Sequence, residues 1–481
     1  MFVKFRLDSG GWQHATLSTR PEDYATPGAT TLTAVPVADG RGVLIHRADA
    51  GRGPVDASGL VLAWEAARDG VAPNDQVEAR VFALDMVRIP DGPFYLGDGE
   101  IGNIAGHFRA ADRNVPFPVT DEDSIVLGST QLGALGNGNA YGMTAADDFD
   151  DGRTAVLPNS FPKGVRAFYV MRYELTESQY AAFLNTLNAA QQRSRNPAEG
   201  CMSQAIVSYC REDPPQPGVR RYGLSAVAPF FSLAPAGPMQ HLSWRDAAAY
   251  ADWAGLRPFT ELEYEKAARG PRYPEPGAYA WGSARIHRQR YTVDEQHTAD
   301  EHVENPGWGI GNAAFVRTMG DPTPDCHSCL RGPLPAGVFA RDTADAEEAG
   351  ASYYRAYELS GNLIERVVSV GHPAGRGFDG RHGDGTLSAD GQAAGIEVAT
   401  WPGAARDGTG WSVRHAQGTG LRGGGWASDE SRLRVSDRAD AAVADSTRAA
   451  TFGYRFARTD PTDIFVPSVP DSTADSTAAG R

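Results

Sequence analysis

Apolar positions in the first 85 residues fall in short runs rather than long stripes. Residues 3–7, 42–47, 60–65 and 77–85 are apolar or alternating, and Gly, Pro and Asp clusters separate them, as in a set of short strands. In the last run Val77, Ala79, Val81 and Ala83 alternate with Glu78, Arg80 and Phe82, which predicts a half-buried strand with the valines inward. Residues 1–85 therefore read as a small all-β domain, a β-sandwich. Residues 86–97 are a strand, a Pro-Asp-Gly turn and a second strand, the pattern of a hairpin. Residues 98–160 are rich in Gly, Asn and Asp with little periodicity, and read as a long loop excursion.

Helical spacing begins at residues 174–190, where Tyr180, Phe183, Leu184 and Leu187 share a face behind Thr176 as N-cap. A second helix is expected over 243–255, capped by Ser243. A third is expected over Glu261–Arg269, with Thr260 and Glu263 as a capping box. The stretch 459–481 is rich in Pro, Ser, Thr and Asp, the composition of a disordered tail.

Composition narrows the function. A net charge of −15 argues against nucleic acid, which needs a basic face. Only Lys4, Lys163 and Lys266 are lysines, so almost all positive charge is Arg. That bias reads either as a GC-rich bacterial genome or as guanidinium recognition of carboxylate or sulfate. No run of ~18 apolar residues occurs, so no membrane span is expected. Residues 1–6 lack the apolar stretch of a signal peptide. The expectation is a cytoplasmic protein as written, or an exported one if the start is truncated.

Separated phrases then line up in one order. Met86–Gly97, Phe168–Thr176, Pro238–Trp244, Trp253–Arg257 and Thr260–Gly270 come first. Ala280-Trp281-Gly282, Gly311-Asn312-Ala313, Leu359–Glu365, Leu421–Trp426 and Phe452–Phe456 follow. Together they resemble the formylglycine-generating-enzyme (sulfatase-modifying-factor) family over residues 86–458. The resemblance implies an α+β fold, an irregular C-type-lectin-like domain, here preceded by the small β-sandwich.

It also implies an oxidase in which two cysteines of the final block hold copper. Here that block runs Trp426-Ala427-Ser428-Asp429-Glu430-Ser431-Arg432-Leu433-Arg434, without a cysteine. Soft thiolates hold Cu(I) and Ser or Asp do not, so copper and formylglycine chemistry are not expected. The family's calcium positions match Asn312 at one site and Asn362 with Glu365 at another, oxygen donors that suit a hard cation or simply satisfy a tight turn. Glu261, Glu263 and Glu265 match a family helix. Alternate positions cannot share a helix face, so capping and ion pairing are expected of them.

Four cysteines remain. Cys201 and Cys210 lie in one insertion and Cys326 and Cys329 in another. A structural zinc site, one or two disulfides, or free thiols all fit. His297 and His302 stand among Asp294, Glu295, Asp300, Glu301 and Glu304, a hard-metal cluster or a solvated acidic loop. His241, just before a helix, is a candidate base or a turn residue.

Three functions compete. The favoured one is a non-catalytic recognition protein. Its solvent-facing set would be Trp426, Ser428, Asp429, Glu430, Arg432, Arg434, Ser436, Asp437 and Arg438, and it would read a protein, peptide or glycan ligand. The alternatives are a family oxidoreductase with altered metal chemistry, and a retroelement-diversified variable protein or assembly component.

Overall fold

A computed structural model describes residues 1–462 apart from 9, 29, 50–54, 100–103, 149–154, 198–223, 226, 233, 321–329, 331 and 342–344. The disordered tail expected from 459 begins later than that, for Thr459 ends a strand and Asp460 is buried; residues 463–481 lie outside the described residues.

The N-terminal region forms two small antiparallel sheets. Phe2–Leu7 pairs with Val77–Phe82 and with Gln13–His14. Leu32–Pro36 pairs with Val43–Arg47. The 60–65 run makes only isolated bridges, at Val61 and Trp64. The alternation expected of Val77–Phe82 holds only in part, for Val77 packs against the N-terminal cluster while Val81 is exposed and Phe82 packs inward. The reason is tertiary. Phe82 stacks on Phe2 at 5.2 Å and meets Trp253 at 4.8 Å, edge-on. The large ring therefore takes the buried face.

Beyond residue 85 a four-stranded antiparallel sheet runs in the order Arg257–Pro258, Phe456–Thr459, Phe168–Met171, Met86–Ile89. The hairpin expected at 86–97 does not form. Met86–Ile89 pairs with Phe168–Met171 and Phe94–Leu96 with Phe117–Val119, because Gly92 bonds to Val165 O and turns the chain away. The expected loop at 98–160 carries a four-stranded sheet of its own. Those strands have three or four residues each, too few for a period of two to register.

The helix expected over 174–190 is two. Helix α1 spans Glu177–Leu184 and α2 spans Ala189–Arg195. Asn188 starts the second by accepting from Ala190 N and Gln191 N, both at 3.0 Å, so the chain re-caps instead of continuing. Helix α3 (Trp244–Trp253) begins at Ser243 and α4 (Glu261–Arg269) at Thr260, each with a closed capping box. Apolar residues of α1 and α3 meet in the main core, where Phe183, Tyr250, Trp253 and Phe456 lie ring against ring.

Candidate functional site

The final block descends from the strand Thr419–Arg422. Gly424 turns it at φ +60°, and a side chain there would collide with Leu433 Cδ1 at 2.8 Å, so the turn requires glycine. Trp426 follows, its N–H donating to Asn362 O at 2.7 Å and its indole half-buried against the apolar cluster of Tyr291, Leu334 and Phe339. Ser428 Oγ accepts from Gly425 N at 3.0 Å. Asp429 is exposed. Glu430 receives Arg288 Nε at 2.8 Å and Nη2 at 2.7 Å, and Tyr279 OH at 3.1 Å. The Arg288 hydrogen bond outweighs partial burial and holds the Glu430 carboxyl below its ordinary range. Arg432 lies 3.5 Å from Asp440 and 3.7 Å from Asp437, and Arg434 rests against Gly277.

The rest of the expected surface is interior, and the solvent-facing reading of Ser436, Asp437 and Arg438 is corrected here. All three are buried. Arg438 donates to Glu261 at 2.8 and 3.1 Å, to Asp147 at 3.2 Å and to Gly106 O at 2.8 Å, with Phe108 under its guanidinium at 4.1 Å. Ser436 accepts from Arg269 at 2.8 Å. Burial pushes Asp437 up to about 6, against the pull of Arg432. Arg422 joins Glu261 at 2.9 Å and Glu265 at 2.6 Å. Glu261 and Glu265 of α4 thus hold the block from beneath, while Glu263 pairs with Arg257 at 2.6 Å. The three glutamates cap and pair as expected, but Glu261 and Glu265, four residues apart, share a face, against the expectation that none of the three would. The six side chains left with solvent access are Trp426, Ser428, Asp429, Glu430, Arg432 and Arg434.

His241 is half-buried at φ +55°, its N–H donating to Ala449 O at 3.0 Å, and it turns the chain toward Ser243 and α3. Trp426 Nε1 reaches the neighbouring Ala450 O at 3.4 Å. In the acidic hairpin, where Val293–Asp294 pairs with His302–Val303, the His297 N–H donates to Glu301 at 2.7 Å. Among the described residues no three His, Cys, Asp or Glu side chains gather as a metal cluster. Cys201, Cys210, Cys326 and Cys329 lie outside the described residues, and so does the zinc or disulfide expectation.

The side chains matched to calcium are committed to protein. Asn312 Oδ1 accepts from Tyr291 OH at 3.0 Å and Gly307 N at 2.7 Å. Asn362 Oδ1 accepts from Leu334 N at 2.8 Å while its amide donates to Glu174 at 2.7 Å. Both Glu365 oxygens face Arg455 Nε, at 2.8 and 3.1 Å, so a cation there would meet a guanidinium. The nearby Glu358 is different. It is half-buried at φ +59°; one oxygen accepts from Gly337 N at 2.8 Å and the other, Oε2, is shielded from solvent without a hydrogen-bond partner. It borders a void of ≈ 10 Å³ together with Asn312 and Asn362, the scale of a single small occupant. Burial pushes its carboxyl up to about 8 despite Arg455. Sequence reasoning missed Glu358 and Glu174. Glu358 sits four residues before Asn362 and was within reach of the motif, but Glu174 is brought to Asn362 across 188 residues only by the fold.

A larger groove of ≈ 600 Å³ lies between the N-terminal sheets and the main sheet, where Val37, Ile45, Met86 and Leu256 meet Arg88 and Arg458. Two of its guanidiniums are paired, Arg88 with Asp460 at 2.6 Å and Arg458 with Asp39 at 2.5 Å.

Short strands, few helices, long loops and a glycine turn behind a buried arginine define an α+β, C-type-lectin-like domain. The chain belongs to the sulfatase-modifying factor enzyme 1-like domain family, whose model matches residues 73–460. It is 30% identical over 155 residues to a formylglycine-generating enzyme of Thermomonospora curvata, covering 28% of this chain and 50% of that protein. It is 30% identical over 138 residues to a hercynine oxygenase of Mycolicibacterium smegmatis, covering 28% of this chain and 22% of that one. The chain thus spans half or less of the length of these relatives. Among solved structures, PvdO from Pseudomonas aeruginosa aligns with a TM-score of 0.34 at 16% identity, over 78% of this chain and 94% of that one. Treponema denticola variable protein 1 aligns with a TM-score of 0.31 at 13% identity, over 81% and 98%. No helix among the described residues is long and apolar enough to cross a membrane.

Proposed function

We propose that this is a non-catalytic recognition protein of the family, reading a protein, peptide or glycan ligand with Trp426, Ser428, Asp429, Glu430, Arg432 and Arg434. The observation that carries this reading is the chemistry of the final block. It offers one half-buried indole, hydroxyls and ion-paired charges, and no thiol between residues 426 and 438. An aromatic anchor rimmed by paired polar groups suits recognition; gripping Cu(I) needs soft sulfur.

The test has two arms. Copper-loaded protein with oxygen and a cysteine-containing sulfatase peptide is expected to yield no aldehyde, and an aldehyde product would sink the reading. On peptide and glycan arrays the wild type is expected to retain a ligand set that Trp426→Ala and Arg434→Ala lose together.

A second reading concerns a cation. The unpartnered Glu358 oxygen beside a small void supports a hard cation such as calcium, held by Glu358 rather than by Glu365. It would neutralise the shielded carboxylate oxygen.

A further inference from the structure

The C-terminal end of α4 opens into a cavity of ≈ 380 Å³ whose lining includes Arg269, Arg272, Arg355, Glu275, Tyr273 and Tyr353. Three guanidiniums meet one carboxylate there, in a chain of net charge −15. Arg272 lies over the Tyr353 ring, 4.9 Å from its centroid, and forms no ion pair among the described residues. Arg269 is buried and bonded to Glu265 and Ser436, yet its Nε–H finds no acceptor. Arg355 holds φ +67°, a conformation that favours glycine; strain of that kind collects where a side chain is needed for more than packing.

The cavity is also built to last. The Tyr353 ring packs directly on Gly270, where any side chain would collide with it. Gly270 N and Tyr353 N cap Lys266 O and Ala268 O, at 2.8 and 3.0 Å, so the negative end of the helix is largely answered. Tyr273 stands edge-on to Tyr95 at 5.2 Å and remains 65% exposed, leaving a ring face open.

We propose that this cavity binds an acidic sugar, a pyranose bearing a carboxylate or sulfate. Its oxyanion would lie on Arg272 and Arg355, its ring on Tyr273 and its hydroxyls toward Glu275. Guanidiniums match oxyanions. A carboxylate in the same lining favours a hydroxylated acid over an apolar one. The inference uses none of residues 426–438 and stands apart from the reading of that surface.

Isothermal titration calorimetry on the full chain tests it, with D-glucuronate and D-galactose 6-sulfate as probes and D-glucose and sodium sulfate as controls. At least one acidic sugar is expected to saturate in the millimolar range or tighter, about tenfold or more tighter than either control. Arg272→Ala and Arg355→Gly are each expected to weaken it about tenfold or more. The proposal is overturned if neither acidic sugar saturates by about 20 mM, if sulfate alone binds as tightly, or if both variants bind like the wild type.

Discussion

Glu358 holds a carboxyl oxygen without a hydrogen-bond partner at the scale of one residue. Burial raises its carboxyl to about 8, and burial raises Glu174 in the same direction. The unfolded chain releases such protons near pH ~4.3. The folded state therefore holds a proton that the unfolded state has lost. Stability from Glu358 is full below the unfolded value and declines as pH rises through about 8. Urea unfolding is expected to show stability falling from about pH 5 to 8, with a shallower slope in Glu358→Gln. If calcium is held there, millimolar calcium restores stability at the alkaline end in the wild type and not in the variant. A wild type indifferent to calcium would remove the cation reading.

Helix α4 and the final block act as one element pair. Glu261 is drawn below its ordinary range by Arg438 and Arg422, although burial alone would raise it. Asp147, also buried, is raised despite Arg438. Arg438→Ala would leave both carboxylates without that guanidinium, at a cost of about 3–5 kcal/mol, measurable as a lowered urea midpoint. A loss below about 1 kcal/mol, the scale of an exposed pair, would contradict the buried geometry. Much of this element was legible beforehand. Thr260 and Glu263 spell a capping box, and a run of glutamates before Arg269 made pairing foreseeable; but Glu261 and Glu265, four apart, share a face after all and both hold Arg422. Their partners were not, because Arg422 and Arg438 lie more than 150 residues away in sequence. The same distance hid the burial of Ser436 and Arg438. Read locally they are a polar stretch of loop; placed over α4 they are the interior.

Across the whole molecule, the N-terminal sheets and the family domain share a core. Phe2 is buried and meets Trp253 edge-on at 5.0 Å, and Lys4 is buried near Asp252, its ammonium lowered to about 7 by burial. Phe2→Ala is expected to cost roughly 3–5 kcal/mol. Calorimetry should show one transition for the full chain, shifted as a whole by the substitution, and residues 86–462 alone should melt lower. Two transitions, with Phe2→Ala moving only one, would show that the regions fold independently.

The sequence by itself determined the family, the helix starts at Thr176, Ser243 and Thr260, and the missing thiols of the final block. Each rests on residue identity over a few neighbouring positions, and capping, glycine turns and metal softness act at that range. Only the tertiary structure decided which charges are interior, which carboxylate lacks a partner, and that Phe82 rather than Val81 faces in. Burial and pairing are settled by residues far apart in the chain, and local pattern holds no record of them.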